Sequence, residues 1–134
     1  MSGILFLCTG NSCRSQMAEG FGKAIYGDDR LIFSAGTNPQ GIHPVAIEVM
    51  KEVDISIENH QSTHLDDIPL DEVSLVITLC DSAAKECPTV SGKKIQHWGL
   101  SDPADAQGTA DEKLVVFRQI RDEIQLRIQA LAGK

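Results

Sequence analysis

The segment from Gly3 to Ser15 most constrains the fold of this chain, because it joins an apolar run directly to a glycine-containing polar loop and a helical pattern. The run from Ile4 to Leu7 has the length and composition of a strand buried on both faces, which is typical of a parallel sheet covered by helices. The polar loop therefore begins at the carboxyl end of a strand. Its backbone N–H groups and the helix N-terminus that follows can bind a tetrahedral oxyanion.

Cys8 and Arg14 stand at the two ends of this loop, with five residues between them. The Arg14 guanidinium can bind two oxygens of one oxyanion. Arg14 and the helix N-terminus both stabilise a thiolate at Cys8, which we expect to be a nucleophile. The alternative is that Cys8 is a small buried residue at a strand end. Cys13 has no expected role beyond its place in the loop. The residues predicted to bind the substrate are Thr9, Gly10, Asn11, Ser12, Cys13, Arg14 and Ser15.

Composition restricts the protein to a few classes. We expect one globular domain over residues 1–134, with no membrane span and no secretory leader, and hence a cytoplasmic protein. In that compartment the four cysteines are more often catalytic, redox-active or metal-binding than part of a static disulfide framework. The formal net charge of -7 disfavours a surface for nucleic acid or anionic membranes. An anion site must therefore depend on the local field of the loop and Arg14.

Strand and helix patterns alternate along the chain. Short apolar runs predict strands at 4–7, 31–35, 74–79 and 94–98, and periodic apolar residues predict helices at 16–26, 44–53 and 109–132. Thr109 and Glu112 have the spacing of a capping box. This order predicts an α/β fold with a four-stranded parallel sheet and helices on both faces. Ligands bind to such sheets beyond the carboxyl ends of the strands.

Two further cysteines, Cys80 and Cys87, follow the third predicted strand. If that strand lies beside the first, Cys80 reaches the same sheet edge as Cys8. A helix between Cys80 and Cys87 would separate them by about 10 Å, so a disulfide between them would require this short, marginal helix to melt. The alternative is two unrelated buried thiols. The cysteine spacings do not match those of zinc sites, and we expect no metal there.

Asp102 and Pro103 follow the fourth predicted strand and leave the sheet at the same edge. A protonated Asp102 could donate a proton to an oxygen that leaves the bound anion. An Asp-Pro pair is also common in plain turns, and the spacing alone leaves both interpretations open. The four histidines are interpreted as loop, cap or packing residues.

Five motifs carry a resemblance to a known family. They are Cys-Thr-Gly-Asn-Ser-Cys-Arg-Ser at 8–15, Ser-Ala-Gly-Thr at 34–37, His43-Pro44, the stretch from Leu79-Cys80 to Cys87-Pro88, and His97-Trp98 followed by Asp102-Pro103. Together they resemble the thioredoxin-coupled arsenate reductases, which are built on the low-molecular-weight protein tyrosine phosphatase fold. The resemblance spans nearly the whole chain.

The resemblance implies reduction of arsenate to arsenite, with Cys8 as nucleophile, Arg14 as oxyanion ligand and Asp102 as proton donor. It further implies that Cys80 and Cys87 form a redox relay, whose disulfide is reduced by thioredoxin or another dithiol donor. Asn11 and Ser15 would support the loop and its thiolate. No bound cofactor is implied, and we expect a monomer.

Some family members hold potassium near the loop, through residues that would fall at Asn11, Glu19, Ser34 and an aspartate. This chain has Thr63 at the aspartate position, or at best the shifted Asp66, so we predict no potassium site and no other metal site. Two alternatives to the reductase stay open. A phosphatase would use Cys8 to form a phosphocysteine, and a catalytically idle module would only bind an oxyanion or sense redox state.

Overall fold

The structure is a computed structural model that describes residues 3–79 and 93–133. Its strands are β1 (Gly3–Cys8), β2 (Leu31–Gly36), β3 (Val73–Thr78) and β4 (Lys94–His97). Its α-helices are α1 (Arg14–Tyr26), α2 (Pro44–Lys51) and α3 (Ala110–Ala132). Short 3-10 helices lie at Leu65–Asp67, Leu70–Glu72 and Pro103–Asp105. Among the described residues, none of these helices combines the length and apolar character that crossing a membrane requires.

The four strands form one parallel sheet in the order β2-β1-β3-β4. All six residues of β1 are buried, so both faces of the sheet are covered at its centre. The predicted α/β fold with a four-stranded parallel sheet is therefore confirmed. Because the strands are parallel, the carboxyl ends of β1, β3 and β4 lie at one edge of the sheet.

Helix α1 packs closely on the sheet through Gly22. A Cβ atom at Gly22 would lie 3.0 Å from Ile32 Cγ2 and 3.2 Å from Phe6 Cε2, so a larger residue would push the helix away from β1 and β2. This packing fixes the start of α1, and with it the loop that joins β1 to α1.

Helix α2 ends at Lys51, two residues before the predicted end at Val53. Asp54 adopts a left-handed backbone conformation with φ 61°. The Ile55 N–H donates to the Met50 carbonyl at 3.1 Å. The chain therefore turns away where apolar periodicity alone indicates a continuing helix.

The predicted capping box of α3 is confirmed, with Thr109 and Glu112 each accepting a hydrogen bond from the other's backbone N–H. Arg121 of α3 donates from Nη1 to the Val49 carbonyl at 2.9 Å and to Glu52 Oε1 at 2.7 Å. Arg118 adds a bond from Nη2 to Glu52 Oε2 at 2.7 Å. These bonds hold the end of α2 against α3.

Glu52 makes stability pH-dependent in acid. Hydrogen bonds from Arg118 and Arg121 lower the pKa of Glu52 to about 2. The unfolded chain has an ordinary glutamate pKa of about 4.3, so the stabilisation is present above that pH and is lost as pH falls towards 2. We expect Tm to fall less between pH 4.5 and 2 in Glu52→Gln than in the wild type, as measured by thermal unfolding. The exposed Glu72 provides the control, and Glu72→Gln should keep the wild-type slope.

Candidate active site

The loop between β1 and α1 is held with its carbonyl groups turned outward. The carbonyls of Thr9, Gly10 and Ser12 accept backbone N–H bonds from the segment after β2, at 2.8, 2.9 and 3.0 Å. The C=O and the N–H of a trans peptide point in opposite directions, and no described peptide bond is cis. The N–H groups of Gly10, Asn11 and Cys13 therefore point to the inside of the loop, where they can bind an anion.

Gly36, at the end of β2, allows this loop to approach the sheet. A Cβ atom at Gly36 would lie 2.5 Å from the Thr9 carbonyl oxygen and 3.0 Å from the Asn11 nitrogen. A side chain at position 36 would therefore displace the loop. Asn11 itself has a left-handed backbone conformation with φ 47°, which asparagine adopts more readily than most residues.

The Cys8 sulfur lies at the floor of the loop and is hydrogen-bonded to Ser15. The distance from Cys8 Sγ to Ser15 Oγ is 2.8 Å, and Cys8 is only 2% exposed. Asn11 Nδ2 donates to Ser15 Oγ at 2.7 Å. Because Ser15 accepts that bond, its own hydroxyl proton is free to be donated to the Cys8 sulfur.

Arg14 is 8% exposed and presents an unused donor. Its Nη1 donates to the Leu100 carbonyl at 2.9 Å, and its Nη2 lies 3.4 Å from Asp102 Oδ2. Its Nε is buried and has no hydrogen-bond partner among the described residues. Buried donors are rarely left unpaired, so Nε marks a position where an anionic ligand would supply the missing acceptor.

Asp102 forms the turn that is one of its two interpretations, and it also faces Arg14. Its Oδ1 accepts the Ala104 N–H at 3.0 Å and caps the 3-10 helix Pro103–Asp105. Its Oδ2 pairs with Arg14, and the side chain is 32% exposed. The turn therefore holds a carboxylate at the anion loop, and a bound oxyanion would compete with Asp102 for Arg14.

Cys13 is also buried but differs chemically from a reactive thiol. Burial raises the pKa of Cys13 to about 12, an effect that the hydrogen bond from Ser12 only partly offsets. Cys13 is therefore a neutral thiol near pH 7. It lies in the loop as predicted, without the properties of a nucleophile.

The loop opens into a cleft of about 580 Å³. Most of the predicted site residues line it, namely Cys8, Thr9, Gly10, Ser12, Cys13, Arg14 and Asp102. Asn11 and Ser15 instead act from behind the loop, through the bonds described above. Among the other residues that line the cleft, Gln40 and Leu100 have no predicted role. His43 also lines it and caps α2, in agreement with its interpretation as a loop, cap or packing residue. Leu100 contributes its backbone carbonyl, for which side-chain patterns give no signal.

Cys80 and Cys87 lie outside the described residues. Leu79, the residue before Cys80, is described, and its N–H donates to the Leu7 carbonyl at 2.9 Å. The residues that precede Cys8 and Cys80 are thus neighbours at the same sheet edge. Within residues 3–79 and 93–133, no three His, Cys, Asp or Glu side chains group together as ligands for a metal ion.

Residues 3–134 match the sequence profile of the family described as low molecular weight phosphotyrosine protein phosphatase. The chain belongs to this low molecular weight phosphatase family. The arsenate reductase of Halalkalibacterium halodurans is 52% identical over 130 residues, which cover 96% of this chain and 94% of that protein. The resemblance to the arsenate reductases of this fold is therefore confirmed.

Solved structures agree with this assignment to the low molecular weight phosphatase family. An arsenate reductase in its phosphate-binding state superimposes with a TM-score of 0.86 at 33% identity, covering 99% of this chain and 98% of that one. A thioredoxin-dependent arsenate reductase of Corynebacterium glutamicum gives a TM-score of 0.78 at 27% identity, covering 98% of this chain and 60% of that one.

Proposed function

We propose that this chain reduces arsenate to arsenite through Cys8, Cys80 and Cys87. The observation that carries the proposal is the Cys8 sulfur at the floor of an anion-binding loop, in a cleft that Arg14 also lines. Arg14 Nε has no hydrogen-bond partner among the described residues. The similarity to arsenate reductases supports arsenate as the anion. Cys80 and Cys87 supply the two thiols that a reduction requires and a simple phosphate-ester hydrolysis does not.

The first step forms a bond between Cys8 and arsenic. The Cys8 thiolate attacks arsenate, which the loop N–H groups and Arg14 hold in place. Asp102 donates a proton to the departing oxygen, which leaves as water. The product is a thioester-like adduct in which arsenic is still in the +5 state.

The second step is the reduction, and it is carried by two thiols of the chain. Cys80 attacks the Cys8 sulfur, the sulfur–arsenic bond breaks, and its electron pair stays on arsenic, which leaves as arsenite. Cys87 then attacks Cys80 and releases the Cys8 thiolate. The two electrons gained by arsenic are balanced by one Cys80–Cys87 disulfide.

An external dithiol closes the cycle. Thioredoxin or a similar donor reduces the Cys80–Cys87 disulfide by thiol–disulfide exchange. The similarity to a thioredoxin-dependent arsenate reductase supports this class of partner. The proposal includes a cytoplasmic monomer formed by one domain over residues 1–134, with no bound cofactor or metal, and no nucleic-acid or membrane partner.

A phosphatase is the second candidate, favoured by the family to which the chain belongs. Cys8, Arg14 and Asp102 would hydrolyse a phosphoester through a phosphocysteine, and Cys80 and Cys87 would only protect the nucleophile from oxidation. Both activities would use the same loop, and they differ in whether electrons are consumed.

The test measures both activities on one preparation. With thioredoxin, its reductase and NADPH present, we expect NADPH oxidation that depends on arsenate. A non-reducing peptide map after one turnover should show a disulfide between Cys80 and Cys87. Phosphoester hydrolysis that outruns arsenate reduction would favour the phosphatase, and no turnover of either substrate would favour an idle binding module.

Removing the Asp102 carboxylate should affect binding and catalysis in opposite directions. In Asp102→Asn, phosphate should bind about threefold more tightly, because the carboxylate no longer competes for Arg14. Turnover of arsenate should fall by about 10²-fold or more, because the proton donor is lost. Phosphate titration by calorimetry and steady-state kinetics check the two effects. Asp105→Asn, in the same turn, is the control and should leave turnover near the wild-type value.

A further inference from the structure

His43 lies where the segment between β2 and α2 meets the cleft, and the mechanism above does not use it. It is half-buried and lines the cleft together with Ser12 of the anion loop. The His43 N–H donates to the Ser12 carbonyl at 3.0 Å, so the start of α2 is attached to the loop. A side chain that is fixed to the loop in this way and lines the cleft is well placed to contact a ligand.

The helix cap assigns the proton on the His43 ring. His43 is the N-cap of α2, and its Nδ1 accepts the Val45 N–H at 3.1 Å. A ring nitrogen that accepts a hydrogen bond carries no hydrogen, so in the neutral ring the hydrogen lies on Nε2. The Nε2–H group is therefore a hydrogen-bond donor.

This donor has no acceptor within the described part of the chain. The His43 ring packs on Phe117 of α3, with ring centroids 5.1 Å apart, and the cap holds Nδ1. His43 Nε2 makes no hydrogen bond to any described residue. Among those residues, Arg14 Nε is the only buried side-chain nitrogen or oxygen without a partner, so His43 Nε2 is accessible to solvent. Two contacts thus orient the ring and leave its remaining donor available.

Two segments that line the cleft differ in charge. The segment after β4 contributes the carboxyl groups of Asp102 and Asp105. The segment between β2 and α2 contributes Gln40 and His43, and residues 37–43 include no Asp or Glu. Ionised carboxylates repel an anion at short range. Donors for the outer part of a bound anion must therefore come from the segment between β2 and α2.

A tetrahedral oxyanion bound in the loop has one oxygen that needs such a donor. When three of its oxygens face the loop N–H groups and Arg14, tetrahedral geometry directs the fourth outwards into the cleft. A carboxyl group at Asp102 can donate to this outer oxygen only when it is protonated. The Nε2–H of a neutral His43 can donate to it without any change of protonation.

We propose that His43 is a substrate-binding residue, which donates from Nε2 to the outer oxygen of the bound oxyanion. The proposal deepens the proposed function, because it assigns the recognition of the fourth oxygen of arsenate, and it rests on arsenate binding in the loop between β1 and α1. His43 thereby distinguishes an anion with four oxygens from one that carries a carbon group at the outer position.

The test compares the binding of phosphate with that of methylphosphonate, in which a methyl group replaces one oxygen and accepts no hydrogen bond. Calorimetry measures the Kd of both anions at one pH. His43→Asn keeps the helix cap, because asparagine is a good N-cap residue, but it removes Nε2. We expect the Kd of phosphate to rise about fivefold and that of methylphosphonate to change less than about twofold. The kcat/KM for arsenate should also fall about fivefold.

Two further variants separate the donor from packing and capping. His43→Phe keeps a ring against Phe117 but has no donor, so it should weaken phosphate binding alone, as His43→Asn does. His64 caps the 3-10 helix Leu65–Asp67 through the same kind of contact, with Nδ1 accepting the Asp66 N–H at 3.0 Å, and it is not one of the residues that line the cleft. His64→Asn is therefore the matched control and should leave both Kd values unchanged.

The proposal is overturned if either His43 variant folds, as judged by near-UV circular dichroism, and keeps the wild-type ratio of the two Kd values. It is also overturned if both anions weaken equally, because His43 would then act only on the shape of the loop, or if His64→Asn changes the ratio as much. Should His43→Phe fail to fold, His43→Asn decides. Phosphate binding requires no electron transfer, so a chain that binds phosphate but fails to reduce arsenate would refute the proposed function and leave this test intact.

Discussion

Replacing Cys8 with serine should abolish arsenate reduction, with turnover falling by about 10⁴-fold or more. A serine hydroxyl at position 8 would keep its proton near neutral pH. It could form neither the sulfur–arsenic bond of the first proposed step nor the disulfide of the second. The coupled thioredoxin assay measures the loss. The variant should still bind phosphate, because the loop N–H groups and Arg14 are unchanged.

Cys13→Ser provides a matched control for that experiment. Cys13 belongs to the same loop and is also buried, yet its burial-raised pKa of about 12 keeps it a neutral thiol. We expect Cys13→Ser to retain turnover within about threefold of the wild type. An active Cys8→Ser enzyme, or a Cys13→Ser enzyme as inactive as Cys8→Ser, would contradict the assignment of the nucleophile.

The second large effect is expected from Arg14→Lys, which keeps the charge but removes the planar group. Arg14 uses Nη1 to hold the Leu100 carbonyl, and its Nη2 lies 3.4 Å from Asp102 Oδ2. Its buried Nε has no hydrogen-bond partner among the described residues. A lysine ammonium cannot occupy these three positions at once. We expect kcat/KM for arsenate to fall by about 10³-fold, equivalent to about 4 kcal/mol, which is in the range for truncating a buried charged partner.

Steady-state kinetics and phosphate titration measure this loss, which should appear in binding as well as turnover. Arg30→Lys is the control, because Arg30 precedes β2 at the opposite end of the sheet from the anion loop. A loss of less than tenfold in Arg14→Lys would mean that charge alone holds the oxyanion, and the fork geometry assigned to Arg14 would be wrong.

The local part of the site could be predicted from sequence because it is contiguous. A buried strand, a polar loop and a helix start follow one another within residues 3–15. The structure places Cys8 at the end of the strand and Arg14 at the start of the helix, and both line one cleft. The role of Asp102 could be predicted only as one of two possibilities, a proton donor or part of a plain turn. Its turn and its pairing with Arg14 turn out to be compatible, because the two carboxylate oxygens serve different partners.

The long-range contacts could not be predicted in the same way. The Leu100 carbonyl that holds Arg14 is a backbone group, and its position depends on how the loop after β4 returns across the sheet. The hydrogen bond between His60 and Gln16 joins positions 44 residues apart, so no local sequence pattern indicates it. Sequence periodicity also does not predict the turn at Asp54, which follows the early end of α2 at Lys51.

The relay itself is tested most directly by counting arsenite in Cys87→Ser incubated with arsenate. Cys8 and Cys80 should still release one arsenite per chain and stop as a Cys8–Cys80 disulfide, because Cys87, the thiol that frees Cys8 in the relay, is absent. Addition of thioredoxin, its reductase and NADPH should not restore the wild-type rate. One arsenite per chain, with that disulfide in a non-reducing peptide map, is the result expected from the relay. Sustained turnover at the wild-type rate in Cys87→Ser would contradict it.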